Sequence, residues 1–216
     1  MKIATIMILT LITILVFLNN LIARPVSYSG GWTMMSYNDY FRNTLLSHFS
    51  PSSKYSIGYM TQYWQNQEYW INAFNLNFLA KRINKKHSQA NFYLKGGLGI
   101  LSTDYNEYDT KNEPVSYGEF ATDWETRRYF ISYNSFFMKS ISVDSTAMQK
   151  ARIGYAPYTA GYGSLHTWLM FELNNMPEYK DSLISNFVIR LFKSTNLIEL
   201  GIDENKNTIL NFIKRF

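Results

Sequence analysis

Two places in this 216-residue chain set a histidine and a serine two positions apart: His48-Phe49-Ser50 and Ser164-Leu165-His166. On an extended strand, residues two apart point to one face, so each pair would present an imidazole beside a hydroxyl. That is the material of a base-activated serine nucleophile. With three histidines and many serines, such pairs arise by chance. Their positions near strand ends, with His166 on the polar side of its strand, argue further against a shared reactive face. His48, His87 and His166 are scattered and there is no cysteine, so no metal-ligand spacing exists. Lys95-Gly96-Gly97-Leu98-Gly99 lacks the strand–loop–helix setting and the Lys-Ser/Thr end of a phosphate cradle. Glycines inside a sheet more often permit curvature or close packing. The chain is not expected to be an enzyme, and no cofactor or metal is expected.

The other residues with chemical potential are the charged ones. They make up only 17% of the chain, against 46% apolar and 17% aromatic residues. An average soluble domain carries roughly 25% charged residues. Disorder is excluded by the aromatic content and the low charge, and a disulfide scaffold by the absence of cysteine. The net charge of +5 is a weak basic balance without any Arg-rich stripe, so no nucleic-acid partner is expected.

What these residues can do depends on the elements that hold them. From Arg24 onward no convincing helical stripe occurs, and period-2 alternation recurs instead. Tyr55, Ile57, Tyr59, Thr61 and Tyr63 alternate with Ser56, Gly58, Met60 and Gln62. Trp70, Phe74, Leu76, Phe78 and Ala80 oppose Asn75, Asn77 and Lys81, while Phe92, Leu94, Leu98 and Ile100 oppose Asn91, Lys95, Gly97 and Gly99. Leu165 to Leu173 and Asn186 to Leu191 repeat the form. Turn-like polar clusters separate the runs.

The count is about twelve strands, with ten as the alternative. The strands start near Gly31, Thr44, Lys54, Tyr69, Gln89, Val115, Arg127, Lys150, Leu165, Leu183, Leu197 and Thr208. Each strand with its connection then takes about 16 residues, against the roughly 9–11 that a membrane strand needs. The longest connection is expected at Ser102–Pro114, the fifth, at the end of the barrel opposite the chain termini.

Three features turn the alternation toward an antiparallel transmembrane β-barrel. The apolar face carries large residues and few charges. Aromatics gather near strand ends, at Tyr55, Tyr63, Trp70, Trp124, Tyr129 and Phe137, where an interfacial girdle is expected. Leu210, Phe212 and Phe216 share one face of the last run, Thr208 to Phe216.

That ending, Asn211-Phe212-Ile213-Lys214-Arg215-Phe216, resembles the terminal strand of Gram-negative outer-membrane β-barrel proteins. The resemblance is to the small-barrel class and to no particular member. It implies that Leu210, Phe212 and Phe216 form an assembly signal read by the barrel-assembly machinery. It also implies outer-membrane lipid as the surrounding partner. Lys214 departs from a purely apolar outer face, and at a strand end it can snorkel to the headgroups.

The opposite face then lines the interior. Charges projected there are Lys95, Glu119, Asp123, Glu125, Arg128, Arg152, Glu172, Arg190, Glu199 and Arg215. They form either an ion-pair network that closes a narrow barrel or the two walls of a water-filled pore. Met1–Ala23 reads as a secretory signal, with Lys2, an apolar run from Ile3 to Leu18, and a cleavage point after Ala23. The remaining 24–216 read as a single barrel domain. With no cysteine, a lipoprotein anchor is not expected. The expected function is that of a small outer-membrane channel or a structural surface protein. The alternatives are a soluble secreted β-barrel holding an apolar ligand and, less favoured, an outer-membrane lipid hydrolase.

Overall fold

The computed structural model describes residues 26–104, 112–161, 163–178 and 183–216. The segment expected as a signal, 1–23, lies outside the described residues.

Twelve antiparallel strands close into a barrel: β1 (Gly31–Asn38), β2 (Arg42–Ser52), β3 (Tyr55–Trp64), β4 (Tyr69–Asn84), β5 (Ser88–Thr103), β6 (Asn112–Thr126), β7 (Tyr129–Ser140), β8 (Ser145–Tyr155), β9 (His166–Asn175), β10 (Leu183–Lys193), β11 (Asn196–Asp203) and β12 (Thr208–Arg215). Each pairs with its neighbours in sequence, and β12 returns to β1 from Asn38↔Leu210 to Thr33↔Arg215. Closure leaves no unpaired strand edge. The seam is extended by Phe216 N–H donating to the Trp32 carbonyl at 2.9 Å.

The alternation sorts residues as the sequence suggests. Every strand exposes large apolar side chains, such as Leu45, Ile57, Phe74, Leu98, Ile153, Leu169, Phe187, Leu200 and Leu210. Phe74 and Leu98 are 75% and 72% exposed. Such a belt all round a barrel is the mark of a lipid-facing wall. A soluble barrel holding an apolar ligand would turn this face inward.

Three expectations are corrected. The longest connection is 156–165, at the rim carrying the chain termini, and not the one after β5. The polar residues Asn112 and Glu113 belong to β6, paired with Ser102 and Leu101 of β5, and the Glu113 carboxylate accepts from the Ser142 N–H at 2.8 Å and from the Ser142 hydroxyl. That leaves only 104–111 as connection. Lys81 does not share the inner face with Asn75 and Asn77. A bulge between Leu79 and Lys81 inserts one residue, so Leu79 points in while Ala80 and Lys81 both stand exposed. Strand β8 starts at Ser145 rather than near Lys150.

The interior is layered. Toward the rim opposite the termini, here the far rim, an apolar cluster joins Trp64, Tyr69, Ile71, Leu101, Met138 and Met148, all buried. Toward the terminal rim, smaller clusters form around Tyr93 and Leu79, and around Phe130, Met170, Val188 and Ile209. Most of the charge lies between these layers.

A charged belt in the candidate lumen

Parity places Arg152, Glu172, Arg190 and Glu199 inside the barrel on four consecutive strands, β8 to β11. Arg152 is the centre. Its Nε donates to Glu172 Oε2 at 2.7 Å, and Nη1 donates to Glu199 Oε1 at 2.7 Å. A second nitrogen, Nη2, also reaches Glu172 Oε2. Arg190 Nε reaches the same Glu199 oxygen at 2.7 Å. Lys150 Nζ lies 3.2 Å from Glu172 Oε1.

Asparagines fill the remaining acceptor sites. Asn186 and Asn174 donate to Glu172 Oε1 at 2.8 and 3.1 Å, and Asn211 donates to Glu199 Oε2 at 2.8 Å. Glu172 and Glu199 are 1% and 3% exposed. Carboxylates so deep survive as charges only when paired and hydrogen-bonded. Here each meets two cations and at least one amide.

A second ion pair stands on the neighbouring wall. Lys95 Nζ on β5 meets Glu119 Oε1 on β6 at 2.8 Å, and Asn134 on β7 donates to the same oxygen at 2.5 Å. Nearer the terminal rim, Asn91 donates to Asp123 at 2.6 Å and accepts from Arg82 Nε at 2.7 Å. Glu125 continues that ladder and lines the interior space. The acidic ladder thus pairs with Lys95 and Asn91, while Arg152 and Arg190 serve Glu172 and Glu199.

Two of the charges expected in the lumen stand apart from the belt. Arg215 is buried at the terminal rim, on the row Arg215↔Thr33↔His48. Arg128 is no lumen residue. It sits exposed in the β6–β7 turn, its guanidinium 3.4 Å from the Tyr155 hydroxyl on the outer face. A turn residue beyond the last paired position has no obligation to follow strand parity.

Sequence reasoning missed Lys150 and Arg42. Lys150 shares the parity of Arg152 and was readable from it. Arg42 lay before the expected start of β2. Its guanidinium carbon stands 5.6 Å from the centroid of the Trp64 ring and 5.3 Å from that of Phe136. The asparagines Asn134, Asn186 and Asn211 were passed over because an amide reveals its role only when the carboxylate opposite is known.

Around these groups runs a cavity of about 350 Å³ lined by residues of all twelve strands. Along β6 it extends from Tyr117 to Glu125, roughly 26 Å of extended chain. A small volume drawn out over that length is a narrow one. Gly97 on β5 lets the Tyr117 ring lie across it, since a Cβ there would fall 2.4 Å from Tyr117 Cε1.

The histidine–serine pairs do not form a lipid-facing reactive site. His48 and Ser50 both point inward and are fully buried. The Ser50 oxygen accepts from the Ser27 N–H at 3.0 Å. His166 lies beside Phe192 with tilted rings and centroids 6.0 Å apart, and Ser164 lies in the connection before β9.

The aromatic candidates all stand on the outer face. Tyr63 and Trp70 stack near the far rim with centroids 4.8 Å apart, and Phe137 lies on the same side of the barrel's height. Tyr55, Trp124 and Tyr129 lie toward the terminal rim, Tyr129 beside Tyr155 at 5.8 Å. Leu210 and Phe216 are exposed, and Phe212 is half-buried on the same face. Lys214 Nζ lies 5.2 Å from the Phe216 ring centroid.

No protein-family model matches the chain, and no curated protein matches its sequence. Solved structures do. A KdgM porin in complex with disordered oligogalacturonate superposes with a TM-score of 0.51 at 8% identity, over 86% of this chain and 98% of that one. The KdgM porin alone gives 0.49 at 9% identity over the same shares. The outer membrane protein OprD from Pseudomonas aeruginosa gives 0.43 at 7%, over 86% of this chain and 64% of its own. At 8% identity the first likeness establishes fold alone.

Proposed function

The chain has the fold of an outer-membrane β-barrel, and from that premise we propose that it resides in the outer membrane and acts as a narrow passive channel for water and small ions. The observation that carries this reading is the elongated cavity lined by all twelve strands inside an apolar outer belt. The belt supports lipid as its surroundings. The charged belt supports a wetted interior, because long charged side chains and asparagines line the space between the apolar layers.

Reconstitution of the purified chain into planar bilayers tests the channel. Small, discrete conductance steps are expected. Silence in every preparation that passes a folding check would assign the barrel a sealed, structural role. The saturated pairing of Glu172 and Glu199 favours that second reading.

Two expectations about biogenesis belong to the same proposal. An unboiled sample should migrate faster on a gel than a boiled one, and extraction should need detergent. Recovery in a soluble periplasmic fraction would overturn the membrane assignment. If Leu210, Phe212 and Phe216 are read by the assembly machinery, Phe216→Ala should lower the amount of barrel reaching the membrane. Unchanged levels would remove that role.

A further inference from the structure

We propose that Arg42 sets the ion preference of the lumen, by holding an unpaired positive charge at the far-rim end of the passage, so that small anions are favoured over cations. The proposal rests on the channel reading above.

Arg42 opens β2 and shares the inward parity of Thr44, Leu46 and His48. Its guanidinium does not lie along its own wall. It is flanked by Trp64 on the adjacent β3 and by Phe136 on β7. In a closed ring of twelve strands, β7 is five places from β2, close to diametrically opposite. The side chain therefore reaches across the interior. Trp64 and Phe136 are themselves buried in the far-rim apolar cluster, with Met138 and Met148 beside them. The lumen at this level is bounded largely by apolar groups, with Asp39, Thr44 and Gln62 also lining it, and the Arg42 side chain crosses it.

The pairing of charges singles this cation out. Lys95, Lys150, Arg152 and Arg190 each have a carboxylate oxygen within 3.2 Å. Among the described residues, Arg42 has none at ion-pair distance. Three described carboxylates of the same rim are engaged otherwise. Asp39 Oδ1 accepts from the Phe41 and Arg42 backbone N–H at 3.0 and 2.9 Å. Glu113 accepts from Ser142 and Val143. Asp144 accepts from the hydroxyls of Tyr69 and Thr146. Of the belt carboxylates, Glu119, held by Lys95 and Asn134, is one that feels the charge of Arg42.

Aromatic faces stabilise a guanidinium without neutralising it. In a constriction walled by apolar groups, a fixed charge acts on a passing ion through a lower dielectric than bulk water. An anion is drawn to that point and a cation is repelled from it. A paired cation such as Arg152 presents no such net field.

The test is the reversal potential of the reconstituted full-length chain under a KCl gradient. Wild type should reverse on the chloride side. Arg42→Gln should move the reversal potential toward zero, and Arg42→Glu should carry it past zero to the potassium side. Arg42→Lys should keep the anion preference. Arg42→Ala should raise single-channel conductance severalfold by clearing the crossing side chain. The heat-shifted gel band confirms that each variant is folded. Wild-type channels that prefer cations, or a reversal potential unmoved by both Arg42→Gln and Arg42→Glu, would overturn the proposal and leave the channel reading standing. No conductance from folded wild type and folded variants alike would overturn both.

Discussion

Arg152 holds two carboxylates that belong to different strand pairs. Glu172 is its direct partner across β8–β9, whereas Glu199 stands on β11, three strands away. Losing one member of such a buried set leaves the others uncompensated, which costs about 3–5 kcal/mol. Glu199→Gln should therefore lower the unfolding free energy of the reconstituted barrel by that order, read from denaturant titration in vesicles. It leaves Arg190 without its carboxylate and Arg152 with Glu172 alone. Arg190→Ala should cost clearly less, because Glu199 keeps Arg152 and Asn211. Equal losses in the two variants would mean that the network is not organised around Arg152. Of this cluster, the four principal charges were legible from parity alone. Lys150 was legible too, because it shares the parity of Arg152 on β8.

At the scale of the strand, the alternation of polar and apolar residues carried most of the fold. β1, β4, β10 and β12 begin at Gly31, Tyr69, Leu183 and Thr208, where the pattern places them. It failed where its physical cause fails. Near the far rim the interior is itself apolar, at Met138, Met148, Ile71 and Leu101, so inward and outward residues look alike. The start of β8, with Thr146 and Met148 inward, was lost for that reason. The bulge at Ala80 defeated parity differently, by adding a residue that no composition signal marks. It makes its own prediction. Leu79 pairs with Tyr93 and Lys81 with Phe92, so deleting Ala80 joins two segments already in register. That deletion should give a heat-modifiable barrel with a nearly unchanged unfolding midpoint. Deleting Leu76, inside a regular run, should instead turn one half of β4 inside out and abolish assembly. Similar behaviour of the two deletions would contradict the assigned register.

At the scale of the whole molecule, the strongest electrostatic interactions sit between apolar layers and away from bulk solvent. Salt screens exposed pairs well and buried ones poorly. Raising the ionic strength from about 0.1 to about 1 M, where the Debye length shrinks from ~10 to ~3 Å, should shift the unfolding midpoint little. A large loss at high salt would place the network in contact with bulk water and widen the lumen beyond what the cavity suggests.

The outer face of β7 runs from Tyr129 through Ile131 and Tyr133 to Phe137, between Arg128 at one end and Lys139 at the other. Between these charges the apolar stretch from Tyr129 to Phe137 takes roughly 26 Å of extended chain, which at the ~35–45° tilt of barrel strands stands only about 20 Å tall. The molecule carries its own measure of membrane thickness, and it is a short one. Mismatch costs fractions of a kcal/mol per ångström and sorts proteins among bilayers. Folding yield in vesicles should climb as the acyl chains shorten, and a host membrane thinner than average is the one in which this barrel rests without deforming its surroundings.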